Sequence, residues 1–373
     1  KLLNMKYKPT YILFPKKKSK KIDFVKKVNI NFENSILVET NNNNENLNSI
    51  NKVLLSTSGT TGSPKMVRLS EKNLISNSLS ICSYLKISFL NKCITTLSPS
   101  YSYGLSIINT HLVKGAKIFI SEEKITSLNF WKLIEKNSVD SISLVPSQFE
   151  ILFKYNFFNK KLKKIKYMTS AGGMLKEKIL NYLRIFSKKN NIRFYVMYGQ
   201  TEASPRMSYY LLNKNILPTN CIGKSVKDGK LWIKKSKNKD NHGEIYYSGP
   251  NVFLGYAENL KDLKKKIKKN KILKTGDLGF KDNKGNFYIT GRKKRIVKIN
   301  NLRISLDHLE QIFRSKKVDI KCQSNNNKIL ILYKNKKYKK ILKNYFLRYL
   351  NLENSNFVMR LEKELNSQRN KKI

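Results

Sequence analysis

The chain has few residues of the kinds that cross-link a small fold or hold a metal. Its 373 residues include four cysteines, no two of them close in sequence: Cys82, Cys93, Cys221 and Cys322. This spacing excludes a C-x-x-C metal or redox pair, and it predicts reduced thiols in an intracellular, cytoplasmic protein. The three histidines are too widely scattered to indicate a zinc site: His111, His242 and His308.

Long apolar runs and acidic residues are scarce as well. No apolar run reaches the length of a membrane span, and nothing at the start is typical of a signal peptide. The chain carries 75 Lys and Arg against 25 Asp and Glu, a net charge of +50. Such a charge often indicates nucleic-acid or membrane binding. Here the lysines are spread over the whole length, and the densest clusters, 16–21 and 264–269, lack interleaved aromatic residues. We therefore expect an anionic small molecule or an acidic carrier partner rather than nucleic acid.

The order of predicted elements indicates an α/β protein with a large and a small domain. Predicted strands and helices alternate over the first 200 residues: strands at 94–97, 116–120, 141–145, 167–170 and 194–197, helices at 74–84, 130–136 and 176–186. From about residue 220 the pattern changes to short strands at 230–233, 243–248 and 285–289, followed by helices at 306–313 and 339–350. We predict mostly parallel sheets, then a β-rich subdomain, then a small α+β C-terminal domain. Residues 1–50 are polar, and the Asn41–Asn44 run predicts a loop or disorder.

The most informative segment runs from Leu55 to Leu69. An apolar strand leads into a loop of hydroxyls and glycines, followed by a Pro-Lys pair and a helix-like stretch from Ser70. Glycine allows close backbone approach to an anion, and hydroxyls, backbone N–H groups and one lysine together bind polyphosphate. The Walker spacing is absent. The candidate phosphate-binding residues are Thr57, Ser58, Gly59, Thr60, Thr61, Gly62 and Lys65.

Two further segments end predicted strands in the same part of the chain. In the first, Tyr198 offers a flat face for a purine, Gly199 turns the chain, and Thr201 and Glu202 add a hydroxyl and a hard oxygen ligand for Mg²⁺. In the second, the pair Gly172-Gly173 permits close approach to a ring. Either segment alone is also consistent with an ordinary turn.

Taken in order, these segments resemble the signature of adenylate-forming enzymes, the family of acyl-CoA synthetases, peptide-synthetase adenylation domains and luciferases. The resemblance covers nearly the whole chain. It implies that residues 57–65 hold the β- and γ-phosphates of ATP, that Tyr198 and Gly172-Gly173 form the walls of the adenine pocket, and that Glu202 holds Mg²⁺, with Thr201 near the phosphate.

The resemblance also implies roles for residues in the C-terminal part. Asp277 and Arg292 would act at the ribose, Lys294 would be the hinge, and Lys298 takes the place of a lysine typical of that motif. Lys372 falls on the catalytic lysine of a loosely matching terminal motif. In a chain so rich in lysine, a chance terminal lysine is the alternative. Asn301 stands where the family usually has Gly, and Asn is the next most tolerant residue for a positive φ.

The domain boundaries implied by the resemblance are a large AMP-binding domain over 1–291, a hinge at 292–294 and a small mobile domain over 295–373. Relatives typically carry over a hundred residues before the phosphate loop, whereas this chain has about fifty and begins with Lys1 rather than Met. We therefore expect a short or N-terminally truncated member of the family.

The implied function is that of an AMP-forming acid–thiol ligase. It would use ATP and Mg²⁺, and CoA or the phosphopantetheine of an acyl carrier protein would accept the acyl group. No acidic residue lies between Leu97 and Ser121 to pair with a substrate ammonium, so we expect a fatty, aryl or hydroxy acid. Tyr101, Tyr103 and Leu105 indicate an apolar or aromatic wall, although core packing explains them as well.

Two alternatives stay open from the sequence alone. The first is an amino-acid-activating domain that feeds a carrier protein. The second is a basic nucleic-acid-binding protein with a decayed catalytic fold, which the charge of +50 would favour.

Overall fold

The computed structural model describes residues 11–15, 25–31, 35–40, 50–56, 65–156, 162, 164–212, 218–235, 241–265, 272–299, 302–325, 328–350 and 352–362. The described residues form two compact units. The first unit lies within Lys1–Asn215, Ser225–Lys230 and Ser248–Leu273, and the second within Ile216–Lys224, Leu231–Tyr247 and Lys274–Ile373. The predicted boundaries at 291 and 295 stay a prediction.

The elements follow one another along the chain in an alternating α/β order up to residue 211. They are β1 (Tyr11–Pro15), β2 (Val25–Asn31), β3 (Ser35–Thr40), β4 (Val53–Ser56), β5 (Met66–Leu69), α1 (Glu71–Leu85), β6 (Lys92–Thr95), α2 (Ser102–Leu112), β7 (Lys117–Ile120), α3 (Leu128–Lys136), β8 (Ser141–Leu144), α4 (Pro146–Lys154), β9 (Tyr167–Ser170), α5 (Glu177–Lys189), β10 (Arg193–Gly199) and β11 (Arg206–Leu211).

Short strands dominate the remainder. They and their helices are β12 (Cys221–Ser225), β13 (Lys230–Lys235), β14 (His242–Ser248), β15 (Gly255–Ala257), α6 (Leu260–Lys264), β16 (Ile272–Lys281), β17 (Phe287–Arg292), β18 (Ile296–Ile299), β19 (Leu302–Ser305), α7 (Leu306–Ser315), β20 (Ile320–Asn325), β21 (Lys328–Tyr333), α8 (Tyr338–Asn344) and β22 (Phe357–Leu361). The predicted mixed α/β class, with a large sheet-rich part, is confirmed.

The first unit contains a mainly parallel sheet. Its strands lie in the order β11-β10-β9-β8-β6-β7, and β11 is antiparallel to β10 while the other neighbours are parallel. Side chains at the centre of these strands are almost fully buried: Ile94, Ile142, Leu144, Met168 and Phe194. Burial of both faces is what βαβ crossovers produce, because helices cover a parallel sheet on its two sides. The carboxyl ends of these strands therefore form one edge, where ligands bind in such sheets.

A second sheet of the first unit carries the ends of the predicted phosphate loop. Strands β4 and β5 form an antiparallel hairpin with Leu55 opposite Val67, and β15 pairs with the other side of β5. Helix α1 follows, as predicted, with a capping box in which the Ser70 hydroxyl accepts from Asn73 N at 3.2 Å. The side chain of Asn73 also donates to Pro250 O and Val252 O at 2.7 and 2.8 Å. These bonds fix the start of α1 against the segment that precedes β15.

Residues 1–50 contain more regular structure than their polar composition predicts. The strands β1, β3 and β2 form an antiparallel sheet in that order. Short segments rich in aromatic and aliphatic residues, as in Tyr11–Pro15 and Ser35–Thr40, are compatible with strands despite the many lysines nearby. The Asn41–Asn44 run lies outside the described residues.

The second unit contains strands in the order β13-β14-β16-β17-β12, with β16 and β12 both antiparallel to β17. It continues with the β18–β19 hairpin, helix α7 and the sheet β20-β21-β22. A core of buried side chains joins these last elements, including Leu309, Phe313, Ile331, Leu342 and Phe346. The predicted helices near 306–313 and 339–350 are confirmed, the latter ending in a π-type turn at Tyr345–Tyr349.

No helix within the described part of the chain is long and apolar enough to cross a membrane.

Candidate functional site

Several predicted site residues lie outside the described residues: Thr57, Ser58, Gly59, Thr60, Thr61, Gly62 and Lys372. The backbone positions of two others are known, Lys294 in a short 3₁₀ turn and Lys298 in β18. The roles predicted for all of these residues stay predictions.

The carboxyl end of β10 carries the candidate nucleotide-binding segment. Tyr198 and Gly199 are the last residues of the strand, and Thr201 and Glu202 form the 3₁₀ turn that follows. A side chain at position 199 would collide with the carbonyl of Pro205, so this turn requires glycine. The Thr201 hydroxyl lies 3.1 Å from the hydroxyl of Ser102, the first residue of α2. The turn is therefore tied to the helix that precedes β7.

Glu202 has a specific partner that the sequence did not reveal. The hydroxyl of Tyr256, in β15, donates to Glu202 Oε1 at 2.7 Å, and Phe253 N donates to the Glu202 carbonyl at 2.8 Å. Burial, and then the negative charge of Glu202, raise the pKa of Tyr256. Tyr256 therefore remains a hydrogen-bond donor and orients the carboxylate.

The ligand atoms at Glu202 suit a Mg²⁺ ion that nucleotide phosphates would also coordinate. Among the described residues, no group of three His, Cys, Asp or Glu side chains is arranged to hold a metal. Mg²⁺ is commonly bound in proteins by one or two carboxylates together with substrate phosphates and water. One oriented carboxylate is therefore enough for a site that a nucleotide completes.

Lys65 stands at the C-terminal end of the predicted phosphate loop, next to β5. Its ammonium forms an ion pair with Glu258 at 2.8 Å, and both side chains are half exposed. The register of β5 and β15, with Met66 opposite Ala257, brings the two residues together. An exposed ion pair of this kind contributes only about 0–1 kcal/mol to stability. It would therefore not prevent Lys65 from binding a phosphate.

The glycine pair after β9 borders an aromatic side chain. Gly172 has φ +87°, and a side chain there would collide with the hydroxyl of Tyr101. Tyr101 itself is 40% exposed and precedes α2. The predicted wall at Gly172-Gly173 is therefore bordered by the partly exposed ring of Tyr101. Pro146 lies next to Gly173.

Asp277 and Arg292 meet in the second unit. They lie opposite each other in the β16–β17 ladder, and Arg292 Nε lies 2.8 Å from Asp277 Oδ1. The carboxylate is buried and the arginine side chain is 60% exposed. The main-chain N–H of Arg292 also donates to Asp307 Oδ2 at 2.9 Å. The two residues predicted to act at the ribose therefore lie together, and the exposed side of Arg292 is open to a ligand.

The segment predicted to form the acyl pocket is more polar than expected. Tyr103 is buried, and its hydroxyl lies 2.7 Å from Thr169 Oγ1, which in turn donates to Ser143 Oγ at 2.8 Å. Leu105 instead packs against the hydrophobic cluster of the β4–β5 hairpin. It is not a pocket wall, because residues two apart on a helix point in different directions.

Arg206 was missed by the sequence reasoning. It is the first residue of β11, it lies opposite Gly199 in the β10–β11 ladder, and it lines a narrow pocket together with Tyr103, Ser106, Thr169 and other residues. Its position shortly after Glu202 was the available signal. A charged residue at the start of a strand gives no indication of burial, however, and the residue is only 2% exposed.

The described cysteines are free and buried, and burial raises the pKa of Cys82 to about 11 and that of Cys93 to about 12. A thiol with a raised pKa is a poor nucleophile near neutral pH. These residues therefore have no place in the candidate site.

Comparison with known proteins agrees with the motifs. The family model "AMP-binding enzyme" matches residues 18–257. Probable 4-coumarate–CoA ligase 1 of Dictyostelium discoideum is 27% identical over 270 residues, which are 69% of this chain and 48% of that protein. Gramicidin S synthase 2 of Brevibacillus brevis is 24% identical over 271 residues, 69% of this chain and 6% of that protein. The chain thus spans about half the length of the curated CoA ligases it matches.

Solved structures of o-succinylbenzoate coenzyme A synthetase from Bacillus subtilis share the fold. The complex with AMP gives a TM-score of 0.67 at 20% identity and covers 85% of this chain and 67% of that chain. The complex with ATP and magnesium ion gives 0.66 at 19% identity, with 89% and 68% covered.

Proposed function

The chain belongs to the AMP-binding enzyme family, and from this premise we propose that it is an AMP-forming acid–thiol ligase. It would activate a carboxylic acid with ATP to an acyl-adenylate, release pyrophosphate, and transfer the acyl group to a thiol. The acceptor would be CoA or the phosphopantetheine of an acyl carrier protein. The CoA ligases among its relatives support this reaction class.

One observation carries the proposal. Tyr198, Thr201 and Glu202 lie together at the carboxyl end of β10, where a parallel sheet binds its ligands. Glu202 is held by Tyr256, and Thr201 by Ser102. An aromatic face, a hydroxyl and an oriented carboxylate are the groups that an adenine ring, a phosphate and Mg²⁺ require.

In the first half-reaction an oxygen of the substrate carboxylate attacks the α-phosphorus of ATP, and the bond to pyrophosphate breaks. Both reactants are anionic, so the protein contributes mainly position and positive charge. The residues 57–65 would hold the β- and γ-phosphates, and Tyr198 would stack on the adenine. Mg²⁺ bound at Glu202 would supply charge neutralisation at the phosphate oxygens. Asp277 and Arg292 would hold the ribose hydroxyls.

In the second half-reaction the thiol sulfur attacks the acyl carbonyl and AMP leaves. Residues 295–373 would rotate about Lys294 between the two steps, since such closures occur at a few hinge residues. Lys372 would act in the first step, by placing a positive charge near the carboxylate and the α-phosphate.

The test is carboxylate-dependent exchange of radiolabelled pyrophosphate into ATP with Mg²⁺, over a panel of fatty, aryl, hydroxy and dicarboxylic acids. We expect exchange with at least one acid. A folded preparation of the whole protein that exchanges with none would disprove the ligase proposal.

Lys372→Ala gives a sharper test of the predicted catalytic lysine. We expect this variant to lose adenylation while it still forms thioester from a supplied acyl-adenylate. Equal loss of both half-reactions would show that Lys372 has another role. Lys371→Ala is the matched control, because it removes a neighbouring positive charge and should leave both half-reactions intact.

An amino-acid-activating domain is the second candidate, supported by the similarity to Gramicidin S synthase 2. The absence of an acidic residue between Leu97 and Ser121 argues against it, since a buried substrate ammonium needs an anionic partner. Exchange supported by an amino acid and by no other acid in the panel would favour this alternative.

A further inference from the structure

Arg206 is a buried cation with an incomplete set of partners. It is 2% exposed, and its guanidinium carbon lies 4.9 Å from the centre of the Tyr103 ring. Within the described part of the chain, its buried Nε atom has no hydrogen-bond partner and no carboxylate forms an ion pair with the side chain. Burying an arginine without an anion is costly, so this arrangement needs an explanation.

Neighbouring groups do not supply the missing negative charge. Burial raises the pKa of Tyr103 to about 12, although the positive charge of Arg206 opposes this rise, and burial also raises the pKa of Tyr84. Both tyrosines are therefore neutral near pH 7. Among the described residues that line the pocket, none is Asp or Glu.

Arg68, the buried arginine of β5, shows how a buried guanidinium with a structural role is hydrogen-bonded in this protein. Arg68 is also 2% exposed. Its Nε donates to Asn51 Oδ1 at 2.8 Å, and one of its terminal nitrogens donates to Lys265 O at 3.2 Å. Arg206 lacks partners of this kind although its backbone is fixed, since Asn77 Oδ1 accepts from Arg206 N at 3.2 Å and Asn77 Nδ2 donates to Arg206 O at 2.8 Å.

The rest of the pocket is lined by hydroxyl groups and short apolar side chains. Tyr103, Thr169 and Ser143 form a chain of hydroxyls along one wall, and Ile107 and Met197 line other parts. His111 is neutral there, because burial lowers its pKa; its Nδ1 bonds to Ile107 O and its Nε2 to the Tyr167 hydroxyl. The space left between these side chains is about 10 Å³, room for about one water molecule, so a long fatty chain does not fit and a carboxylate would enter only as the side chains move apart.

The pocket adjoins the candidate nucleotide-binding segment on two sides. Arg206 lies opposite Gly199 in the β10–β11 ladder. Tyr103 follows Ser102, whose hydroxyl lies 3.1 Å from that of Thr201. A substrate whose reacting carboxylate is placed beside Thr201 could therefore extend its other end toward Arg206.

We propose that Arg206 binds a second carboxylate of the acid substrate, so that the preferred substrates are compact dicarboxylic acids. This inference rests on the proposed ligase function and specifies its substrate class. The guanidinium would form charge-assisted hydrogen bonds with the second carboxylate, which would complete the buried cation. The same positive charge would repel a substrate ammonium, so amino acids without a side-chain acid would be rejected.

The experiment compares acids with matched carbon skeletons in the pyrophosphate–ATP exchange assay: succinate with butyrate, glutarate with pentanoate, and benzene dicarboxylates with benzoate. For the native chain we expect kcat/KM for the best dicarboxylate to exceed that of its matched monocarboxylate by about 30-fold or more. Arg206→Met should bring this ratio to about 1, mainly by lowering kcat/KM for the dicarboxylate. Arg206→Lys, which keeps the charge, should retain part of it.

Arg68→Met is the matched control, because it removes an equally buried arginine outside the pocket. Its ratio of dicarboxylate to monocarboxylate should equal that of the native chain. A native chain that prefers monocarboxylates, or an Arg206→Met variant that keeps the native ratio, would overturn the proposal and assign Arg206 a packing role against Tyr103.

Direct binding separates this inference from the ligase proposal. If no acid supports exchange, the ligase proposal fails. Calorimetric titration with succinate and glutarate then still tests whether Arg206 binds a carboxylate. Binding to the native chain that Arg206→Met abolishes, with native circular dichroism for both proteins, supports the anion site. Binding to neither protein, or equally to both, refutes it.

Discussion

The surroundings of Arg68 and Arg206 differ although both arginines are equally buried. Arg68 in β5 donates to Asn51 and Lys265, and Asp262 adds a favourable charge nearby. Arg206 in β11 stacks on Tyr103, and its Nε has no partner within the described ranges. Removing a buried cation that is hydrogen-bonded inside the protein leaves its partners unsatisfied and destabilises the fold. A buried cation without such partners gains stabilisation when an anionic ligand binds.

The same contrast applies to two carboxylates, one outside the candidate site and one within it. Asp140 is enclosed by Asn91, Lys92 N and Lys166, so it has a structural role between β6 and β9. Glu202 is oriented by Tyr256 but only partly buried. We expect activity to depend on the open groups and stability on the enclosed ones.

The largest effect should follow from Glu202→Gln. This change removes the negative charge that we propose holds Mg²⁺ and keeps the shape of the side chain. We expect exchange activity to fall about 100-fold or more, since metal-based charge neutralisation contributes several kcal/mol, with little change in the unfolding midpoint. Glu150→Gln, which removes a carboxylate paired with Lys176 on the surface, should keep native activity. Equal activity of the two variants would contradict the role of Glu202.

The two arginines should differ in how much they stabilise the fold. Arg68→Met breaks charge-assisted hydrogen bonds to Asn51 and Lys265, and we expect it to lower the free energy of unfolding by about 2 kcal/mol. Arg206→Met breaks no such bond among the described residues, and replacing an unpartnered buried charge with an apolar side chain should leave the free energy of unfolding unchanged or raise it. Urea unfolding without ligand measures both values. A loss of stability in Arg206→Met would mean that its cation is structural.

Tyr256→Phe should have an intermediate effect on activity. It leaves Glu202 charged but removes the hydroxyl that orients it. Partners of metal ligands typically contribute about 10-fold to metal affinity or activity, so we expect a loss of that size with a higher Mg²⁺ requirement. Saturating Mg²⁺ should recover most of the activity. A loss that Mg²⁺ does not relieve would show that Tyr256 acts elsewhere.

The smallest effect concerns pH and His111. Burial lowers its pKa below the ordinary value of 6.5, with Ile107 O and Asp140 opposing the shift. The unfolded chain therefore binds a proton more readily than the folded one, and stability should fall as the pH drops below 6.5. The slope that this residue contributes cannot exceed about 1.4 kcal/mol per pH unit. His111→Asn should reduce this slope. An unchanged slope for His111→Asn would contradict the buried neutral state.

Much of the candidate site could be predicted from local sequence. Glycine at 199 is required by the close approach of Pro205, and the Ser70-Asn73 capping box marks the start of α1. The short segments Ser141–Leu144 and Tyr167–Ser170, which alternate with predicted helices, were correctly predicted as strands of a parallel sheet. These features depend on backbone conformation and periodicity within a few residues, which is why sequence reasoning reaches them.

Contacts between distant segments could not be predicted in this way. Tyr256 meets Glu202, and Arg68 meets Lys265, because β15 pairs with β5 at one particular register. The polar composition of residues 1–50 likewise concealed three strands. Pairing between strands follows from long-range burial and chain topology, which local composition does not encode.

The sequence by itself determined the family, the parallel sheet and the candidate binding residues at the end of β10, because these follow from short motifs with local geometric requirements. Only the tertiary structure decided which charges are satisfied. Arg68 donates a hydrogen bond to Asn51. The equally buried Arg206 lies beside Tyr103, and its Nε has no partner among the described residues. Burial and hydrogen-bond partners arise from residues far apart in the chain, so the substrate preference proposed here could be read only from the folded molecule.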